Sequence, residues 1–539
     1  MFALYKSRKE KNMKKLIPLL LALIMIVSAL AACNNTPAAT SGQETPKPNA
    51  SQNNQTNAST PAETDPDDLL PDEEKLNIDL EGLDYGNREF YIYHWDTDPA
   101  GWSADTAEFV PAENAVEGDP INNALYLRNL YIEEGLGIKL NFHAETGHDQ
   151  YQDAFVTKLK TRLNDPETPV DLVGAYSRCA PHILVAGLAV DLEAYAEDLD
   201  MSKTWWPSLV REEHEIRGRV FYVSGDASPG VLTQMESLFV NKDLLKSFGY
   251  DYDKFATDVL NGKWTHDDLI EMTKDRYQDI DGTAGKSNGD FFGITGENVC
   301  VGDAMWTAYG YRLLDKSSDE DQIYELSSDL LGENAANFVR KMTDWWATND
   351  AHLQYEFATD VMNYQERGEH FGASKALFTT MRVGSFDSAS MDIDYTILPF
   401  PKGDDKQERY YTCVRDPYTQ YSICAMSLDK DLAAQALQTM GYYGYKHTTP
   451  AIFEVTFKGK VAKDDYAIKM FDLIRESITF DVGRTFDRIT STMLPNLVSR
   501  AWCYGQSWAS AFSATKRKVY TTYIENTNKK ILDMLEFLE

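Results

Sequence analysis

Apolar and polar positions change period several times along the chain, and each change marks an element. Phe90 to Tyr93 is a compact apolar run of strand length. A loop rich in Asp, Gly and Trp follows it. Asp119-Pro120 then offers an N-cap and a proline at the first helical position. Ile121, Ala124, Leu125, Leu127 and Tyr131 broaden into one helical face, and Gly135 is the expected stop. Ile138, Leu140 and Phe142 alternate with Lys139 and Asn141, which is strand spacing. Tyr151, Phe155, Leu159 and Leu163 recur every four residues, as on a helix, and Val170 to Val173 reads as a short buried strand. This β-α-β-α-β order predicts a mostly parallel sheet with right-handed crossovers.

A second series follows. Leu238 to Val240 is strand-like, and Asn241 caps a helix predicted to end at Gly249. Thr265 with Asp268 makes a capping box. Asn334 to Trp346 is helical, and Tyr395 to Leu398 is a strand stopped by Pro399-Phe400-Pro401. An amphipathic helix runs from about Thr515 to Leu538, and no repeat of fixed period is present.

The first residues carry a different pattern. Lys14 and Lys15 precede an apolar run from Leu16 to Ala32, which ends Leu30-Ala31-Ala32-Cys33. Charged start, short apolar core and small-residue exit describe a secretory signal. The exit resembles the lipobox of bacterial lipoproteins, which implies lipidation of Cys33; Met13 is an alternative start. From Asn34 to about Glu74 the chain is Asn, Thr, Ser, Pro and acids. Such composition buries too little surface to offset its ordering entropy, so residues 33–80 are expected to be a flexible tether. The body beyond it exceeds the roughly 250–300 residues at which one core stops growing, so two lobes are expected.

The net charge of −32 argues against a nucleic-acid partner and against binding bare anionic lipid. Six cysteines, none spaced C-x-x-C, exclude a dense disulfide framework. Cys413 and Cys424 sit on neighbouring strand-like runs; they are expected as buried thiols, with a pairing left open.

Several phrases stand in a telling order: "VDLVGAYSRCAPHILVAGLAVDLEAY", "RGRVFYVSGD", "SLFVNKDLLKSFGYD", "KWTHDDLIEMTKD", "KALFTTMRVGSF", "DYTILPFPKGDD" and "FKGKVAKDDYAIKMFDLIRESITFDVG". Together they resemble the lipid-anchored extracellular solute-binding proteins of ABC importers, in the sugar-binding group. The resemblance implies an α/β, two-lobed periplasmic-binding-protein-like fold with a multi-strand hinge and an interlobe cleft. It implies a signal peptide at 1–32, one lobe from 81–228 plus 392–445, and the other from 229–391 plus 446–539. It implies capture of a polar solute, an oligosaccharide above all, with permease subunits as partners and no cofactor. Sugar faces stack on aromatic rings, and hydroxyls take charge-assisted hydrogen bonds. Ligands enter at the carboxyl ends of strands in open α/β sheets. These rules select Trp95 and Asp96 beside His94 after the first strand, and Tyr176, Ser177 and Arg178 after the third. They also select Asp226 at the first lobe crossing, Trp306 near Tyr309, Arg382 beside Met381, Asp416 near Tyr418, and Trp502. Trp205-Trp206 and Trp345-Trp346 are expected to be packing.

Other chemistry is weaker. Asp279-Ile280-Asp281-Gly282 is similar to the middle of a calcium loop, but with Asp279 at the third position the first and twelfth are Tyr277 and Asn288. His143 and His148 lack zinc spacing. Gly285-Lys286-Ser287 lacks the leading glycine of a phosphate loop, and no G-x-S-x-G elbow occurs. A secreted glycoside hydrolase needs two facing carboxylates, and 84 Asp and Glu always offer a chance pair. That alternative stays open, as does a binder that feeds a membrane sensor.

Overall fold

β1 (Arg88–Trp95), β2 (Ile138–Glu145) and β3 (Leu172–Tyr176) are strands of the first sheet. The computed structural model describes residues 76–96, 108–111, 118–348, 352–354, 362, 364–386, 392–457, 464–487 and 494–538. Every described residue lies in one compact unit, Glu63–Glu539. Cys33 and the expected signal lie outside the described residues. Ile78 and Leu80, at the end of the expected tether, are partly buried against the core.

β1 pairs in parallel with both β2 and β3, as the alternation predicts. The helix between β1 and β2, Pro120–Leu136, starts where expected, with Asp119 accepting from the Asn122 amide at 2.8 Å. It runs past Gly135 and stops at Gly137, whose φ of 63° is left-handed. Gly135 stays helical because its bare face is covered: a Cβ there would meet Leu80 at 3.1 Å and Tyr443 at 3.6 Å.

Further strands are β4 (Glu236–Asn241), β5 (Phe292–Glu297), the hairpin β6 (Leu314–Lys316) and β7 (Tyr324–Leu326), β8 (His352–Gln354), β9 (Ala376–Arg382), β10 (Tyr395–Leu398), β11 (Thr412–Cys413), β12 (Thr419–Ile423) and β13 (Ile478–Thr479). The first sheet has the order β12-β3-β1-β2, and the second β10-β4-β9-β5-β8. β12 joins the first sheet antiparallel to β3. This is the two-lobed α/β architecture.

Two segments depart from the lobes to which the sequence assigned them. β10, inside 392–445, pairs antiparallel with β4 of the second sheet. The helix Thr449–Phe457, inside 446–539, packs on Pro120–Leu136 of the first lobe. Hydrogen bonding across strands of distant sequence sets these places, and no local pattern encodes it.

Two crossing segments, 224–235 and 414–418, join the lobes side by side. They are bridged where Val223 meets Tyr421 and where Met235 meets Val414. The Ser224 hydroxyl donates to the Thr419 carbonyl at 2.6 Å, and the Arg415 amide to the Gln234 carbonyl at 3.0 Å. Cys179, Cys300, Cys413 and Cys424 are buried, and none of them forms a disulfide. Among the described residues no helix is long and apolar enough to cross a membrane.

Candidate functional site: a chain of ion pairs between the lobes

β3 ends at Tyr176, and the chain turns at once through a 3-10 turn, Ser177–Cys179. That turn delivers Ser177 and Arg178 to the second crossing segment. The Ser177 hydroxyl donates to the Asp416 carbonyl, and the Arg178 guanidinium bonds the Asp416 carboxylate. Arg178 also lies 3.8 Å from Asp149 and 3.4 Å from Asp487.

From Asp416 the chain of charges runs into the second lobe. Arg484 lies 3.8 Å from Asp416 and 3.0 Å from Asp303. Arg484 is on the short helix Val482–Thr485, capped by Asp481. Asp303, on the helix Asn298–Ala308, accepts from Arg415 at 2.7 Å and from the Ser499 hydroxyl at 2.6 Å. Arg415 reaches Glu236, at the start of β4, at 3.9 Å. The alternating series Asp487, Arg178, Asp416, Arg484, Asp303, Arg415, Glu236 thus spans both lobes. A narrow gap lies against it, lined among others by Ser177, Thr307, Tyr418, Thr479, Phe480 and Arg484. Its cavity volume of about 10 Å³ is room for roughly one water, so the lobes are closed on it here.

The charges are buried or nearly so, and their partners decide their state. Burial alone would raise the Asp416 carboxyl, but Arg178, Arg484 and Arg415 outweigh it and draw it down to about 2. Glu236 is raised by burial, against the pull of Arg415 and Arg382.

The expected site residues divide. Ser177, Arg178 and Asp416 meet directly. Tyr176 adjoins them: its ring is fully buried and its hydroxyl has no hydrogen-bond partner among the described residues. Arg382 lies at the second-lobe end, donating to Gln234 at 2.9 Å beside Glu236. Trp95 packs edge-on against Tyr176 at 5.3 Å and donates to the Thr419 hydroxyl at 2.8 Å, with its ring fully buried. Asp96 is half-buried, its amide bonded to the Glu145 carbonyl at 2.7 Å.

Three stand apart from the cluster. Asp226 is buried against Arg475 at 3.3 Å and the Thr449 hydroxyl at 2.9 Å. Trp306 packs edge-on against Tyr311 and Phe338. Trp502 is buried against Gly302. Trp205 and Trp206 are packing residues that share the Gln438 carbonyl at 3.3 and 2.9 Å, and Trp345 is buried against His266.

The sequence reading missed Asp303, Arg415 and Arg484. Arg415 stood next to the chosen Asp416, the one local signal available. It also missed Glu108. This carboxylate is buried where the crossing segments meet the first lobe, accepting from the Ser228 hydroxyl at 2.7 Å and from the Thr419 hydroxyl. Burial pushes its carboxyl up to about 7, against those hydroxyls and Arg128.

Asp279, Asp281 and Asp290 bring carboxylate oxygens within 4.8 Å of one another. Counted from Asp279 rather than Tyr277, the loop places Asp290 at the twelfth position. The Gly282 and Thr283 amides, the Ser287 amide and hydroxyl, the Ile280 amide and the Tyr277 hydroxyl already donate to these carboxylates.

No family model matches the sequence, and no curated protein sequence does. Solved structures do. UspC of Mycobacterium tuberculosis superposes with a TM-score of 0.52 at 14% identity, over 81% of this chain and 100% of its own. A cyclo/maltodextrin-binding protein complexed with maltotetraose gives 0.48 at 13% identity, over 82% of this chain and 97% of its own. The substrate-binding protein Lmo0181 of Listeria monocytogenes, complexed with cycloalternan, gives 0.45 at 13% identity, over 83% and 99%. At such identities the likeness is one of fold, and UspC carries it. The chain therefore has the two-lobed α/β fold of the periplasmic-binding-protein type.

Proposed function

We propose that this protein is the extracellular substrate-binding component of an ABC importer, closing two lobes on a polar solute, with an oligosaccharide as the favoured class. The observation that carries this reading is the meeting of Ser177 and Arg178 from the first lobe with Arg484 from the second on Asp416 of a crossing segment. A site assembled from both lobes and their connection forms only on closure, so a ligand that touches it favours the closed state. Hydroxyls at Ser177, Thr307, Tyr418 and Thr479, beside ionised groups, suit a ligand rich in hydroxyls. The family resemblance adds permease subunits as partners and a lipid on Cys33 as the tie to the outer face of the membrane.

Capture proceeds here without turnover. An oligosaccharide panel incubated with the protein is expected to stay intact by mass. Reproducible cleavage lost on mutating one carboxylate supports the hydrolase instead.

Native mass spectrometry of protein purified without refolding tests the main reading, with calorimetry on the same panel. A retained or titrating polar solute supports it, and a panel with no binder removes it. For the anchor, Cys33→Ala is expected to release the protein or leave an unprocessed precursor. Normal lipid-bearing protein from that variant sinks the anchor.

A further inference from the structure

The hairpin β6–β7 follows the helix Asn298–Ala308 of the second lobe, yet its side chains hold the first. Arg312, at its root, bonds Glu213 at 2.6 Å. Lys316 donates to the Glu212 carbonyl at 2.6 Å and to the Glu215 carboxylate at 2.7 Å. In return Arg217 donates to the carbonyls of Asp319 and Gln322 at 2.5 and 2.7 Å. Residues 212–217 belong to the first lobe by packing: His214 lies 3.4 Å from Gln420 of β12.

The same contacts reach the gap. Glu213 also accepts from the Thr479 hydroxyl and the Phe480 amide, and both residues line the gap. The Leu313 amide donates to Asp481 at 3.0 Å, three residues before Arg484. Movement of the hairpin therefore moves the wall of the site.

The helix Ala514–Leu538 completes the arrangement. Asn528 is buried and clamps the backbone of Tyr324 in β7, accepting from its amide at 3.0 Å and donating to its carbonyl at 2.8 Å. The helix also packs on Ala180–Val185 of the first lobe, which begins directly after Arg178 and Cys179. Both ends of the Arg178–Asp416–Arg484 bridge thus rest on elements that this helix and hairpin grip.

None of these contacts uses the crossing segments 224–235 or 414–418. A hinge alone joins the lobes at one edge and leaves their angle free. Contacts made away from the hinge are lost on opening and regained on closing.

We propose that the β6–β7 hairpin and the helix Ala514–Leu538 form an interlobe clasp that biases the ligand-free protein towards closure and sets how far the gap opens. Its Lys316–Glu215 pair is half-exposed, so salt weakens that part of the clasp. It does not depend on the identity of the solute.

The test uses the ligand-free protein. Spin labels go on Tyr126→Cys, on the exposed side of the first-lobe helix, and on Ile468→Cys of the helix Asp465–Glu476, in a Cys503→Ser background. Pulsed dipolar spectroscopy and small-angle scattering then compare this background with Arg312→Ala. The expected result is a longer label distance and a larger radius of gyration in the variant, with circular dichroism unchanged. Raised salt is expected to move the parent the same way. Should Arg312→Ala fail to fold, Arg217→Ala with Lys316→Ala decides, since these exposed residues carry no core packing. Unchanged distance and radius in the folded variant overturn the clasp.

Discussion

Glu108 is a buried carboxylate and Asp416 a largely buried one, and both sit where the crossing segments meet the first lobe. Their acidities diverge to about 7 and about 2. Burial pushes both upward by the same mechanism. The difference is in the partners. Glu108 faces the neutral hydroxyls of Ser228 and Thr419, with Arg128 as its attractive charge; Asp416 faces Arg178, Arg484 and Arg415. Two hydroxyls do not offset the desolvation of a charge, and three guanidiniums more than offset it. One carboxylate is thus a permanent anion inside an ion-pair chain, and the other gains and loses its proton near neutrality.

The sharpest way to break this contrast is to remove the anion from the chain. Asp416→Asn leaves three buried guanidiniums short of a partner, which costs about 3–5 kcal/mol for a broken buried pair. Urea unfolding reads it directly. A cost under 1 kcal/mol would mean that the arginines find other partners.

The next effect is a pH slope. Glu108 has its folded value raised above the ordinary 4.5, so its stabilising contribution is full below about 4.5 and is lost as pH climbs to about 7. At 1.36 kcal/mol per pKa unit the loss is on the order of 3 kcal/mol. Glu108→Gln is expected to flatten the melting temperature between pH 4.5 and 7, and an unchanged slope rejects the assignment. Asp416 acts with the opposite sign: its folded value is depressed below 3.8, so its contribution is present above that and is lost as pH falls toward 2.

A smaller effect is expected in solute affinity. Arg178→Lys keeps the charge but loses the planar fork that reaches Asp149, Asp416 and Asp487. Calorimetry with whichever solute binds is expected to register roughly tenfold weakening, about 1.4 kcal/mol. Equal affinity would move the site away from this cluster. Least of all, Arg88→Ala removes a half-exposed pair with Asp429 at 2.6 Å, worth about 0–1 kcal/mol. A large cost there would upset the view that neighbours and burial together set the energy.

Strands, caps and most helix bounds were legible because they are local. Asp119, Asn241 and Thr265 cap where the pattern places them, since a cap needs only the next three residues. Gly135 misled because its role depends on Tyr443, far along the chain. At the site, the loop after β3 was legible through strand order, which gave Ser177 and Arg178. Arg484 and Asp303 were not: a buried arginine has the same local signature as an exposed one, and its partner is fixed by tertiary contact. Trp95 and Trp306 satisfied the aromatic rule yet are enclosed by neighbouring rings.

The pairing of β3 with β12 has a consequence for how the chain folds. All strands of the second sheet lie between these two partners in sequence, and the Ser177–Asp416 contact spans 239 positions. Loop closure over such a distance must precede the contacts that reward it, and folding rates fall as contacts become less local. The second sheet can assemble within its own stretch, whereas the first must wait for a strand beyond it. Such a chain remains threadable for longer than one built from sequential hairpins.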